Sequence, residues 1–569
     1  LAPARAQSRA EHITISIEHD VVSGSCVLYG VRWYFALITS SVGTGTPVLW
    51  NSESVAEREA DRVKNGWCNA TALAPGKQLE RSAEECAATR FGVMWPTVDG
   101  KAVEIFVGLS QESTSKAVQY VGDAASCGFD GMHAHAQNTW QQYFDRVRIT
   151  GGSAKTRRIF ATAWYHAGLK PVRSERTNFL WSDDHELWSD LATMWDQYKT
   201  QLPYLLTVFP EHSQSLAESL LATSRVLGQF PNAVLFTPNL KKFENQSRLL
   251  AVVTLFDIYR HLSIKGTINY DTWRATAETM SKAVELESEK ISPNKGEQAF
   301  SHLLDLSYAA GCVRTLSAEL GLNELVAEMS RCEKRWREAF DPETGMMHKG
   351  SYYEGGNIHY SFRLLHDMGA RIELCGGADA FNERLDEFFG FGADPVSQIG
   401  DGIEQQTGIE LGRFDGLNNE IMLETPFAYH YIGKPDRTSQ IIHAIQRYQW
   451  GDTAGGIPGN DDSGALSSWY FWNTVGLFPL SGQDIFFIST PLFDRVEIGS
   501  CGFVIEAERG DANTSDGSIY IESVELNGKL LDRSFLFLRE VLEGGVLRLR
   551  LSRERGRFRP GRLPQDRIK

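Results

Sequence analysis

AFSHLLDLSYAAGCVRTLSAELG, residues Ala299 to Gly321, sets the architecture. Its apolar residues recur three and four positions apart, the period of a helix that buries a face. QSLAESLLATSRVLGQF (Gln214–Phe230) and SRLLAVVTLFDIYRHL (Ser247–Leu262) repeat the texture, and such segments dominate from about Lys155 to Trp472. This region reads as mostly helical. Toward the N-terminus the texture changes. HITISIEH, SCVLYGVRWYFALITSS and KAVEIFVGLSQES carry β-branched and aromatic residues between Gly, Ser and Asn breaks, so strands of a β-sandwich are expected from about Ile13 to Val121. After Gly482, DIFFIST, RVEIGSCGFVIEA, SIYIESVELNG and GGVLRLRLS alternate with period two, and LNGK is a hairpin-type turn. The order is β, helical, β.

The chain has 569 residues, enough for two or three domains. No apolar run reaches the length of a membrane span. A net charge of -15 argues against nucleic acid. The locally basic tail RERGRFRPGRLPQDRIK (Arg553–Lys569) is expected to fray. Eight cysteines without a CxxC pair imply buried thiols, with one or two bridges open. The N-terminal LAPARAQSRAEH lacks the apolar core of a signal peptide, and a mature or clipped product would look the same. Sequons stand at Asn69, Asn245 and Asn513, but chance triplets are common, so the compartment stays open.

Four segments carry polar and aromatic residues on Gly- and Asn-rich connections between helices, a usual way to build a cleft. In GGIPGNDDSGALSSWYFWNTVGLFPL (Gly455–Leu480), Asp461 and Asp462 precede an aromatic helix. Alone, they would cap that helix; facing a cleft, two such close carboxylates raise one another's pKa and suit a base that activates water. In RFDGLNNEIMLETPFAYHYIGKPDRTSQ, Asn418, Asn419 and Glu420 cluster on a turn, with Glu424 following. Oxygen donors of this kind suit Ca²⁺, or simply cap a turn. In LATMWDQYKTQLPYLL, Trp195 and Asp196 offer a ring for sugar stacking and a carboxylate for hydroxyls, or a core residue with a cap. In YYEGGNIHYSFRLLHD (Tyr352–Asp367), Glu354 could be an acid or a hydroxyl acceptor, His359 sits in an apolar run, and His366–Asp367 reads as a supporting pair or cap.

Together these segments resemble glycoside hydrolase family 92, calcium-dependent exo-acting α-mannosidases that invert anomeric configuration. The resemblance runs from roughly Asp123 to Leu551 and is carried by GIPGNDDSGALSSWY, RFDGLNNE with PFAYHYIGKPDRT, MWDQYKTQLP and YYEGG with HYSFRLLHDM. It implies a multidomain α and β fold: a β-sandwich, here shortened, packed on an (α/α)6 toroid catalytic domain, with a C-terminal β-segment. The boundaries expected are 1–130 for the sandwich, 131–154 for a linker helix, 155–481 for the catalytic domain and 482–569 for the β-segment and basic tail. By the resemblance, Asp461 and Asp462 supply the base, Asn419 and Glu420 hold the metal, and Trp195, Asp196, Glu420 and Tyr360 meet the mannose. An inverting pair of carboxyl groups stands roughly 6.5–9.5 Å apart to admit water.

Two departures stand out. The family's opening segment, reading like YPGA and then PFGM, has no counterpart, so the sandwich is expected to lack its first half by truncation or loss. Where ordinary members carry a Glu as general acid, and mannose-1-phosphate-cleaving members a Gln, this chain has His359. The expected function is a Ca²⁺-dependent inverting exo-α-mannosidase acting on terminal α-mannosides of glycans, including N-glycans. His359 would occupy the acid position and Glu354 would be the alternative donor. A mannosyl phosphodiester hydrolase and a non-catalytic, calcium-dependent mannose binder are the alternatives. The family suggests a secreted or periplasmic setting; linkage and oligomeric state stay open.

Overall fold

The computed structural model describes residues 13–18, 21–28, 30–39, 46–51, 71–72, 79–81, 89–94, 103–174, 180, 186–235, 246–293, 298–391, 403–404, 409–410, 419–509 and 518–568. Asn418 and the sequons at Asn69, Asn245 and Asn513 lie outside these. The chain forms two compact units, one of residues 1–144, 174–184 and 236–240, the other of 145–173, 185–235 and 241–569.

The first unit holds a five-stranded antiparallel sheet in the order Leu79–Arg81, Ile13–Glu18, Val21–Leu28, Val31–Thr39, Ile105–Ser110. A second sheet of Thr71–Ala72, Thr46–Asn51 and Thr89–Met94 accompanies it. The strand texture stops earlier than expected. Ser113 Oγ accepts from Lys116 N at 3.1 Å and starts a helical segment over Thr114–Phe144, broken into two helices at Gly128 (φ 71°, ψ 170°), where the sequence reading had strands to Val121 and a helix from 131. Ala117 and Val121 of this helix pack on Ala36 and Phe106 of the sheet. Gly108 permits the approach, because a Cβ there would stand 2.2 Å from Ala117 O.

In the second unit, the long helices divide by burial. Ala299–Glu319 is buried almost all round, whereas Tyr270–Lys290 buries one stripe of Trp273, Ala277, Met280 and Val284 against it. Leu250–Ile264 packs between Ser213–Leu227 and Ala299–Glu319. Each large apolar side chain removed from water contributes about 1.5–3 kcal/mol. A buried ion pair crosses this interior. Arg363 Nη1 lies 2.5 Å from Asp305 Oδ1, each side chain 1% exposed, with Tyr198 Oη accepting from Arg363 at 3.1 Å.

The C-terminal strands form a six-stranded sheet that recruits Val147–Thr150 from before the helices, paired antiparallel with Arg495–Ile498. The expected hairpin at Leu526–Lys529 is present, with Asn527 and Gly528 at φ 50° and 81°. The basic tail does not fray as expected. Arg557 pairs with Glu522 at 2.7 Å, Gln565 Nε2 donates to Tyr431 O at 2.9 Å, and Pro564–Ile568 forms a short 3₁₀ turn. The described cysteines Cys26, Cys127, Cys312, Cys332, Cys375 and Cys501 are free thiols, and no described helix is long and apolar enough to cross a membrane.

Candidate active site

The second unit places the sequence-derived residues on short turns at helix ends. The Asp461–Asp462 loop is held tightly. The helix Ala465–Val475 behind it is buried throughout, and Trp469 and Trp472 donate their indole N–H groups to Leu423 O and Thr200 O at 2.9 and 3.0 Å. Asp461 and Ser463 adopt φ of 52° and 53°, unusual for residues with a Cβ. Gly464, at φ 80°, lets the loop close on the preceding helix end, since a Cβ there would lie 3.2 Å from Ala167 Cα. Asp461 accepts from Ser467 N at 2.8 Å and from Ser467 Oγ at 2.7 Å, with His166 Nδ1 at 3.6 Å. Burial pushes its carboxyl up, and the Ser467 bonds oppose that. Asp461 therefore caps the first turn of the helix, while Asp462 is left exposed.

Asp196 lies in the turn Met194–Gln197, whose cap Thr193 accepts from Asp196 N at 3.3 Å. Its carboxylate accepts from Ser463 Oγ at 3.4 Å, which ties this turn to the aspartate loop. Glu420 opens the 3₁₀ turn Glu420–Met422, capped by Asn419 Oδ1 accepting from Ile421 N at 3.3 Å. One carboxylate oxygen each from Asp196, Glu420 and Asp462 lies within 4.8 Å of the others. Burial, and then the neighbouring negative charges, push Asp196 up to about 7 and Glu420 up to about 8. Carboxylates crowded in this way are a fitting donor set for a hard, oxygen-seeking cation such as Ca²⁺.

Glu354 joins this group. At φ 48°, it accepts on Oε2 from Trp195 Nε1 at 3.3 Å and from Asn419 Nδ2 at 3.1 Å. Trp195 does not offer an open ring. It is 1% exposed, stacked on Tyr360 at 6.2 Å and met edge-on by Tyr353, so its polar contribution is the N–H it gives Glu354. His359 lies in the short helix Asn357–Tyr360, its Nδ1 accepting from Gly356 N at 3.0 Å and its ring edge-on to Phe388. That bond places the proton of the neutral ring on Nε2. His366 is buried with Nε2 3.0 Å from Gly482 O, and Asp367 caps the helix Met368–Leu374, so both are scaffold.

Sequence reasoning passed over Ser463, Ser467, His166, Tyr353 and Lys199. Lys199 had a signal: it follows Asp196 by one helical turn. Ser467 had one too, in the first turn of the helix after the aspartates. His166 had none, because it meets Asp461 only through the fold.

The model of the glycosyl hydrolase family 92 catalytic domain matches residues 116–553, and the chain belongs to that family. An uncharacterized secreted glycosidase of Arthroderma benhamiae is 31% identical over 211 residues, 37% of this chain and 25% of that protein, so the match takes in about a quarter of that relative. Among solved structures, an inverting mannosidase of family 92 from Bacteroides thetaiotaomicron superposes with a TM-score of 0.79 at 20% identity, covering 98% of this chain and 79% of its own. A second α-mannosidase of the family from the same organism, solved with mannoimidazole, gives 0.77 at 20% identity, covering 97% and 75%. These likenesses show a shared fold.

Proposed function

We propose that this chain is a calcium-dependent, inverting, exo-acting α-mannosidase that removes terminal mannose from glycans and works as a secreted protein. The observation that carries the reading is the convergence of Asp196, Glu420 and Asp462 within 4.8 Å. They come from three segments distant in sequence, and a bound cation would offset the burial and repulsion that raise Asp196 and Glu420.

Asp196 and Glu420, both buried, are assigned as metal carboxylates, with Asn419 completing the turn. Bound there, calcium would supply a positive charge that holds sugar hydroxyls beside the reacting carbon. Asp462, exposed at the same cluster, is assigned as the base that takes a proton from the attacking water. Asp461 orients it, since its own oxygens are occupied by Ser467. Glu354, held by Trp195 and Asn419, is assigned to the sugar or to the departing oxygen.

His359 favours a second reading. As a strong acid it would need a second proton on Nδ1, where it now accepts the Gly356 N–H. A phosphate leaves without protonation and a sugar alkoxide does not, so a mannosyl phosphodiester is the substrate this arrangement serves with least rearrangement.

The test is a panel of an aryl α-mannoside, an α-1,2-mannobiose and a mannose-1-phospho-6-mannose, each with and without EDTA. EDTA-sensitive cleavage of all three supports the mannosidase, and cleavage restricted to the aryl and phospho substrates supports the second reading. Efficient cleavage in EDTA contradicts both.

A further inference from the structure

Lys199 is a buried cation whose closest acceptors are backbone carbonyls of the turn that carries Glu420. Its side chain is 2% exposed. Nζ donates to Glu420 O at 3.0 Å and lies 3.4 Å from Ile421 O and 3.6 Å from Glu424 Oε1. Of the three N–H donors of an ammonium, two go to these backbone carbonyls, and the Glu424 carboxylate is an ion-pair partner beyond hydrogen-bond distance. Lys199 follows the Asp196 turn directly, yet its acceptors lie 221 and 222 residues away, on the turn that carries Glu420.

That turn is weak on its own. It is a single 3₁₀ turn of three residues, with Met422 N donating to Asn419 O at 3.2 Å and Leu423 N to Glu420 O at 3.4 Å. Its Glu420 carboxylate must nonetheless stay beside Asp196 and Asp462 against their repulsion. A clamp on the backbone does this without neutralising the carboxylates.

We infer that Lys199 is a positioning residue of the cation site: by tying two carbonyls of the Glu420 turn to the Asp196 segment, it holds the two carboxylates at binding separation. This rests on the calcium reading given above. The competing role is charge balance alone, for Glu424. The two roles separate, because removing both charges ends any need for balance and still leaves the turn unclamped.

Full-length wild type, Lys199→Met/Glu424→Gln and Lys199→Arg are titrated with CaCl₂ by calorimetry, with thermal unfolding of each metal-free protein alongside. The glutamine keeps the Oε1 that accepts from Leu364 N. The double variant is expected to unfold close to wild type and to bind calcium about 10- to 100-fold more weakly, the usual effect of losing a residue that orients a ligand. Lys199→Arg, with the charge kept and the donors moved, is expected to fall between. Wild-type affinity in the double variant overturns the inference and leaves the calcium reading intact. Should the double variant not fold, wild-type affinity in Lys199→Arg overturns it instead. No calcium binding by wild type overturns the calcium reading and this inference together.

Discussion

Two buried polar clusters in the same unit have opposite charge logic. Around Asp305 every charge is answered: Arg363 pairs at 2.5 Å, Arg248 N donates at 3.0 Å, and Tyr198 Oη takes another guanidinium N–H. Around Asp196 and Glu420 the charges that raise the carboxyls are those of Glu354 and Asp462, while the Lys199 ammonium is engaged with backbone carbonyls of the Glu420 turn. The first cluster is complete as it stands and holds helices together. The second is the site proposed for the cation, which would offset the carboxylates that raise one another there.

The largest expected effect lies in the second cluster. Asp462→Asn should lower turnover on an aryl α-mannoside by about 10²- to 10⁴-fold, the contribution of a positioned base. Its unfolding midpoint should hardly move, since Asp462 is exposed. Full turnover in this variant would break the assignment of the base.

In the first cluster the same kind of change should act on folding. Asp305→Ala leaves Arg363 buried and unpaired, which costs about 3–5 kcal/mol in urea unfolding. Replacing both partners with apolar residues should recover most of that loss. A small loss from Asp305→Ala would mean that the pair is not the structural counterpart drawn here.

Neutralising a charge in the acidic cluster should act with the opposite sign. Asp196→Asn relieves repulsion, so the metal-free protein should unfold on the order of 1 °C higher, read by calorimetry. The same variant should lose the rise in midpoint that calcium gives wild type. Destabilisation without metal would show that the cluster is already compensated.

A smaller effect follows from His430, buried with Nδ1 2.8 Å from Ser534 Oγ and pushed by burial down to about 3. Protons then bind the unfolded chain more readily than the folded one. This part of the stability is present above pH ~6.5, the ordinary histidine value, and is lost as pH falls toward about 3. His430→Asn should flatten the acid side of the stability profile relative to wild type. Asp257, raised to about 7 by burial, works the other way and is common to both proteins, so the difference isolates His430.

Local periodicity and turn chemistry made much of the architecture readable. The alternating strands after Gly482, the LNGK hairpin and the helix of Ala299–Glu319 are where their residues say they are. Partnerships across the chain were not readable, because spacing carries no information about them. Val147–Thr150 joins strands more than three hundred residues later, as its register with Arg495–Ile498 shows. In the site, the family motifs named Asp196, Glu420 and Asp462 one at a time. Their meeting depends on loop geometry, including the left-handed Asp461 and Ser463. Trp195 shows how two readings of one dipeptide part: a tryptophan beside an acid suggests a sugar platform or a core residue with a cap, and its ring packs on Tyr360 while its N–H goes to Glu354.

The most direct test is the rate of mannose release from an aryl α-mannoside across a series of calcium buffers of fixed free Ca²⁺. Saturable activation from a near-zero rate in chelator, fully restored on adding calcium back, is the predicted result. An undiminished rate in the chelator alone would contradict it.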